Sequence, residues 1–547
     1  MSASSKKKLR NAEKAEQLTQ RQQAERAEAT KLKILTVVMV VVLIATIAVA
    51  AVIAVQRIIK NDPLTNSGIL QRNTVAMTVG EHEISAVELN YFYVDAVNQF
   101  YSNYGSYASL FGLDVTKPLN EQVADPTTGA TWADDFLSSA QETIKAVYAI
   151  TDEANANGFT LSEADKAEIE TQMQTLEMYA VLYAGSDVDG YLTALYGPGA
   201  SEKTIRAYYE KCYLAQAYQD YIKESLTYTD AELAAKDEEN PSNYTSYSYN
   251  SYYLSTSKFL SGGTTDAEGN TTYSDDEKAA AVIAAEDAAK KLTAEEITSI
   301  EALDAAIAGL DINAEVSNAA STAYEDYRYS NIGSVIQEWV SDESRQAGDL
   351  EYIASTTTAD DGTETVNGYY VVYYVGSNTN EYTLIDVRHI LAKFEGGTTD
   401  ENGTTTYTDE EKAAAKAVAD ELLAEWKAGE ATEDSFAALA NEHSDDGDGT
   451  TGGLYTDVYR GQMVTNFENW CYAEERQPGD TGIVETEFGY HVMYFVGDSE
   501  HTYRDYLIIQ DLVSADVNDW YNTLVGSVTL TVKETKYIPG DLVLSAT

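Results

Sequence analysis

The sequence predicts a multidomain α+β chain, with a helical domain and two related α+β modules behind a single transmembrane helix. Three observations predict it. Residues 262–281 (GGTTDAEGNTTYSDDEKAAA) and 396–415 (GGTTDENGTTTYTDEEKAAA) share 15 of 20 positions, and Gly368–Gly376 (GYYVVYYVG) answers Gly489–Gly497 (GYHVMYFVG). Apolar residues recur with a 3.6-residue period from Trp132 to about Leu226. Ile34–Val55 is free of charge. At 547 residues the chain exceeds what one core can hold, so several domains are expected.

The elements follow in order. Residues 1–33 form a basic leader, expected in the cytoplasm. The run 34–55 would reach roughly 33 Å as a helix, enough to cross a bilayer. Small residues around Ala48–Ala51 leave a cleaved signal peptide as the competing reading, but the length of the run and its leader favour an uncleaved anchor. The rest of the chain is then expected outside, with localisation at the cell membrane. A net of +7 over residues 1–60 leaves −60 on the remainder of a chain whose total is −53. Such an ectodomain repels nucleic acid and anionic lipid, which excludes nucleic acid as a partner. Cys212 and Cys471 lie far apart without metal-type spacing, so neither a disulfide framework nor a metal site is expected.

After a linker at 61–73, a short strand and a turn at Gly80–His82 lead to Ser85, an N-cap with Glu88 three residues on. Residues 61–240 read as the helical domain, punctuated by Gly158, Gly190 and Gly197–Gly199. The modules occupy 245–378 and 382–498. Each opens on a strand and carries a Thr-rich hairpin, around Glu268–Gly269 or Asn402–Gly403, read as a two-residue turn. Asp400, Asn402, Thr404 and Glu411 invite a calcium-loop reading, but the glycine stands at position 4 instead of 6, which favours the hairpin. Helices are expected at about 409–427 and 432–441. The tail, 499–547, offers a strand or helix start at YRDYLIIQDLV, a helix near 514–525 and a closing strand VTLTVKETKYI.

The second module contains, in order, VRHIL (387–391), FAALANEHSDD (436–446), Gly452–Gly453, RGQMVTNF (460–467), RQPGDTG (476–482) and TEFGYHVMYF (486–495). These blocks resemble, in order and spacing, the signature of parvulin-type peptidyl-prolyl cis/trans isomerases. The larger layout resembles the PrsA and SurA extracytoplasmic foldases: a helical chaperone domain, parvulin modules, and a C-terminal segment that returns to complete the helical domain. The resemblance implies that His389 and His491 face each other from adjacent central strands, with Asp446 at the acidic position of the site. It places Met463 and Phe467 in the apolar wall that receives proline, Gln462 at a polar rim, and Leu454 and Tyr455 at further substrate contacts. The spacing of 463 and 467 as i and i+4 would set both on one helix face. Such catalysis requires no cofactor and no metal, only a dry pocket and a polar network that favour the twisted amide.

The run Leu454–Val458 departs from the family, with Tyr455 and Val458 in place of a leucine and a phenylalanine. In the first module Tyr370 stands at the place of His491, and Ser255 or Leu254 at that of His389. Ile332 and Ile336 take the places of Met463 and Phe467, which makes that module a degenerate copy. The expected function is a membrane-anchored extracellular foldase acting on unfolded or partly folded secreted polypeptides. The alternative is a binding-only holdase with silent modules. Oligomeric state is not legible.

Overall fold

The computed structural model describes residues 68–533, apart from 185–186, 267–268, 314–318, 360, 401–402 and 448. The leader at 1–33 and the expected span at 34–55 lie outside the described residues. Among the described residues, no helix is long and apolar enough to cross a membrane.

The helical region begins inside the expected linker, with a short helix α1 (Ile69–Asn73). Gly68 and Gly199 cross so closely that a Cβ on Gly68 would lie 2.2 Å from the Gly199 Cα. Strands β1 (Val75–Val79) and β2 (His82–Ser85) lead into α2 (Ala86–Tyr104), where the Ser85 hydroxyl accepts from the Glu88 amide. A short hairpin, β3 (Val123–Asp125) and β4 (Ala130–Thr131), precedes α3 (Trp132–Ala156). Then come α4 (Glu163–Tyr179), α5 (Val188–Tyr196), α6 (Glu202–Ser225) and α7 (Asp230–Glu239). Thr131–Asp134, Ser162–Asp165 and Thr229–Glu232 start their helices with reciprocal capping boxes. Leu89, Tyr91, Tyr93, Ile144, Leu192 and Ile205 sit in one shared core.

The first module runs through β5 (Ser246–Ser255), a hairpin β6–β7 (Thr264–Thr265, Thr271–Thr272), α8 (Asp275–Leu292), α9 (Ile300–Ala308), β8 (Thr322–Arg328), α10 (Ser334–Val340), β9 (Leu350–Thr358) and β10 (Glu364–Asn378). The second follows with β11 (Thr383–Lys393), a hairpin β12–β13 (Thr398–Thr399, Thr405–Thr406), α11 (Asp409–Ala428), α12 (Glu433–His443), β14 (Leu454–Val458), α13 (Thr465–Cys471), β15 (Thr481–Glu485) and β16 (Gly489–Thr502). Both sheets are antiparallel with the same strand plan, β8-β5-β10-β9 and β14-β11-β16-β15. The internal repeat in the sequence is therefore a repeat of topology, with opening and closing strands paired at the centre.

Two expectations are corrected here, and one alternative is resolved. Each Thr-rich hairpin turns through three residues instead of two: the Asp400 amide bonds the Thr404 carbonyl, and Gly403 takes φ +84°, as Gly269 does at +89°. The partner of the His389 position in the first module is Ser251, not Ser255 or Leu254. His389 pairs with Met493, whose counterpart Val372 pairs with Ser251. A helical turn at Thr256–Phe259 lengthens the first copy between strand and hairpin, which shifts any count back from the glycines. In the tail, where YRDYLIIQDLV left strand and helix start open, Thr502 forms a capping box with Asp505 and starts one continuous helix, α14 (Tyr503–Ser527).

After α14 the chain returns to the first sheet. Strand β17 (Leu530–Val532) pairs with β1, giving the order β17-β1-β2. Trp520 of α14 donates to Glu153 on α3 at 3.1 Å, and Tyr521 and Leu524 pack beside Ile150 and Tyr218. At the start of α14, buried Arg504 ties together three crossings of the chain. Its guanidinium reaches Asp237 on α7 at 2.5 and 3.1 Å, the Pro241 carbonyl before β5 at 3.1 Å, and the Thr379 carbonyl between the modules at 3.1 Å. Asn380 completes the knot by donating to the Tyr244 carbonyl and the Ser246 hydroxyl.

Candidate active site

The site grows from the central strand pair of the second module. In the β11–β16 ladder His491 is opposite Leu391 and His389 is opposite Met493, so the histidines are diagonal neighbours on one face. Their Nδ1 atoms are 3.0 Å apart and both rings are buried. Phe467 of α13 presents its ring edge-on to both, with centroids at 5.5 and 5.4 Å. Tyr455 of β14 stacks on His389 at 4.8 Å.

Polar partners extend the pair at both ends. Asp446 Oδ2 lies 3.1 Å from His389 Nε2 and accepts the Tyr455 hydroxyl at 2.7 Å. Thr486 Oγ1 lies 2.9 Å from His491 Nε2 and accepts the Phe488 amide at 3.2 Å. The hydrogen bond from His389 holds the Asp446 carboxyl down at about 2. Burial pushes His491 down to about 4, so it is neutral at pH 7. These states fix the protons. An ionised Asp446 only accepts, so His389 carries its proton on Nε2 and leaves Nδ1 bare when neutral. The His491 Nδ1–H then donates to it, and His491 Nε2 accepts from the Thr486 hydroxyl. Every ring nitrogen has a partner, from Thr486 through both imidazoles to Asp446.

Backbone geometry holds this line in place. The Ser444 hydroxyl accepts from the Leu391 and Asp446 amides, and the Asp445 amide donates to the Leu391 carbonyl, so the SDD loop is laced to the edge of β11. Gly453 adopts φ +63°, and a Cβ there would sit 2.0 Å from the His389 carbonyl oxygen. The His389 amide donates to the Gly453 carbonyl at 2.9 Å. Only glycine lets the loop pass this close. Buried Arg388 braces it from the opposite face of β11, bonding the Thr451 and Gly452 carbonyls and pairing with Glu433 at 3.1 Å.

The structure thus brings together His389, His491, Asp446, Tyr455 and Phe467. Met463 packs on the same core as Phe467 but precedes α13, whose N-cap is Val464. The i, i+4 helix-face expectation for 463 and 467 therefore fails: the helix starts two residues after Met463. Leu454 is buried on β14 opposite Arg388. Gln462 is exposed, and its side-chain oxygen accepts the Tyr459 amide of its own turn. Sequence reasoning missed Thr486, Ser444 and Arg388. Thr486 opens the TEFGYH block that carries His491, five residues before it. His82 lies away from this site and pairs with Asp152 at 2.9 Å in the helical region.

Residues 389–497 match the family described as Rotamase, PPIC-type PPIASE domain. This stretch is a parvulin-type peptidyl-prolyl isomerase domain. Among solved structures, the chain is similar to the PPIase domain of TbPar42, at 22% identity over 20% of this chain and 98% of that one, TM-score 0.17. It is similar to the peptidylprolyl isomerase PrsA from Bacillus anthracis, at 21% identity over 27% of this chain and 59% of that one, TM-score 0.17. It is also similar to a SurA-like chaperone from Campylobacter jejuni, at 14% identity over 69% of this chain and 88% of that one, TM-score 0.16. The match therefore spans less than two thirds of that PrsA. No curated protein matches the chain. In the first module, the places of the rotamase histidines hold Ser251 and Tyr370, and Ile336 stands in the core at the place of Phe467.

Proposed function

We propose that the chain is a membrane-anchored extracellular foldase whose second module isomerises X–Pro bonds in secreted, incompletely folded polypeptides. The observation that carries this reading is the buried His389–His491 pair beneath the Phe467 ring, inside a PPIC-type domain. Rotation about an X–Pro bond is slow because the twisted state loses amide resonance, a barrier of ~18–20 kcal/mol. The planar amide is the more charge-separated of the two. An apolar wall at Met463 and Phe467, with Leu454 and Tyr455 beside it, stabilises the twisted form relative to the planar one. In this reading the Asp446 carboxylate stands near the substrate carbonyl, where its charge opposes the negative oxygen of the planar form. His389 and His491 hold Asp446 and the floor of the pocket in register, and Gln462 serves the rim.

The anchor and the outside location rest on the apolar run 34–55 and its basic leader. The first module, without imidazoles, serves as a binding module. A proline tetrapeptide assay on the full chain tests the catalytic reading. Asp446→Ala, His389→Ala and His491→Ala are each expected to slow isomerisation by about tenfold or more, on the scale of general polar catalysis. Unchanged rates in all three folded variants would overturn the site assignment, and a parent without isomerase activity would favour the binding-only holdase.

A further inference from the structure

The helical region holds two clefts of different electrostatic character. One, of about 770 Å³, holds three ion pairs at its wall: Lys211 with Glu88 at 2.6 Å, Arg206 with Glu170, and His82 with Asp152. The other, of about 570 Å³, lies between α2, α3 and α6 and is closed on one side by Tyr521 of α14. Asp95 of α2 stands in its wall. The Tyr208 hydroxyl donates to this carboxylate at 2.5 Å and the Tyr196 hydroxyl at 3.5 Å. No cation pairs with it among the described residues, and none of the lining residues is Lys, Arg or His. Lys211, next to the lining residue Cys212, is turned away to Glu88. Phe92, Val147 and Ile150 supply an apolar part of the wall, Gln99, Gln216 and Gln219 line it with neutral amides, and Glu142 adds a second, exposed carboxylate.

We propose that this cleft binds an arginine side chain of an extended polypeptide, with Asp95 as its counter-charge. A carboxylate held by two neutral donors and facing a cavity with no Lys, Arg or His in its lining lacks a cation. Its desolvation is visible in the Asp95 carboxyl, pushed up to about 6 by burial. A guanidinium supplies the missing charge and matches a carboxylate with paired N–H donors. Its spare donors find the side-chain oxygens of Gln99 and Gln219. The apolar wall takes the methylene stem and flanking residues, and a cleft of this volume has room for them. An ectodomain this acidic also draws basic segments toward it. That the ligand is a polypeptide rests on the foldase reading, since incompletely folded chains are what present such side chains.

The test is calorimetric titration of the full chain with an acetylated, amidated alanine pentapeptide carrying a central arginine, against the same peptide with central norleucine. The arginine peptide is expected to bind about tenfold or more tightly. Asp95→Asn keeps the side-chain shape and is expected to reduce arginine-peptide binding to the norleucine level. Gln99→Lys, an exposed position one helical turn from Asp95, places an internal cation over the cleft and is expected to do the same. Both variants should keep the parent isomerase rate on a proline tetrapeptide. Equal binding of the two peptides, or undiminished binding by Asp95→Asn, overturns the proposal. Binding of agmatine as tight as that of the arginine peptide overturns its polypeptide part. A parent chain that discriminates the peptides but shows no isomerase activity would sink the catalytic reading and leave the cleft standing.

Discussion

At the scale of single residues, the rotamase site behaves as a line of hydrogen bonds in which each proton position depends on the next. His491 titrates near 6.5 when free and is held down to about 4 in the fold by burial. The unfolded chain therefore binds more protons than the folded one between those values. Stability is fully present above pH 6.5 and is lost as pH falls toward 4. Asp446, lowered from 3.8 to about 2, acts with the same sign over a more acid window. In a His491→Gln chain the upper window is absent, so the stability gap between parent and variant should shift by about 1–3 kcal/mol from pH 6.5 to pH 4. Urea unfolding of the rotamase module, followed by hydrogen exchange in both chains, measures it. Parallel pH profiles would refute the assignment of a neutral His491. Thr486→Val removes the hydroxyl bonded to His491 Nε2 in a buried setting. The expected cost is about 1–3 kcal/mol, together with slower isomerisation, because the freed imidazole can change tautomer. Thr486→Ser should recover both.

At the scale of elements, legibility followed how local the determining contact is. Ser85 capping the Glu88 amide is a contact three residues apart, and the sequence pattern contains all of it. The histidine pair was legible because two module copies differ at strand positions whose surroundings repeat. What escaped depended on distance or on small insertions. The turn at 256–259 displaced the count that would have matched Ser251 to His389. Thr486 carries no periodic signature, and its role exists only because β15 and β16 bring it back beside His491. The LII run of the tail left strand and helix start open, and the Thr502–Asp505 box commits the segment to a helix. That helix supports the helical region through Trp520, Tyr521 and Val525. Deleting residues 503–547 should abolish hydrogen-exchange protection over β1, β2 and the C-terminal half of α3 while sparing 383–498. Loss of protection confined to the rotamase module would contradict this division of labour.

At the scale of the whole molecule, the Arg504 knot gathers the chain at each passage between helical region, first module and second module. Adjacent units thereby share one buried hydrogen-bonded centre instead of independent linkers. Orientation toward the membrane is a property of the same scale. In the proposed orientation, with the basic leader inside, protease added to intact protoplasts should digest the large acidic portion and leave only a fragment containing residues 1–60. Full protection of the large portion would reverse the topology. The pairing of β17 with β1 also has a consequence in time. Ribosomes deliver the chain N-terminus first, at ~5–20 residues per second, and domains close as their parts emerge. Strand β1 is among the first described segments made, and its partner β17 is among the last. Both sheet modules can close while the earliest strand still offers a bare edge, so the first region to be synthesised is the last to be completed. During that interval the nascent protein carries an open strand edge of the kind that attracts stray pairing. A chain proposed to attend to the unfinished folding of others thus passes through a long unfinished state of its own.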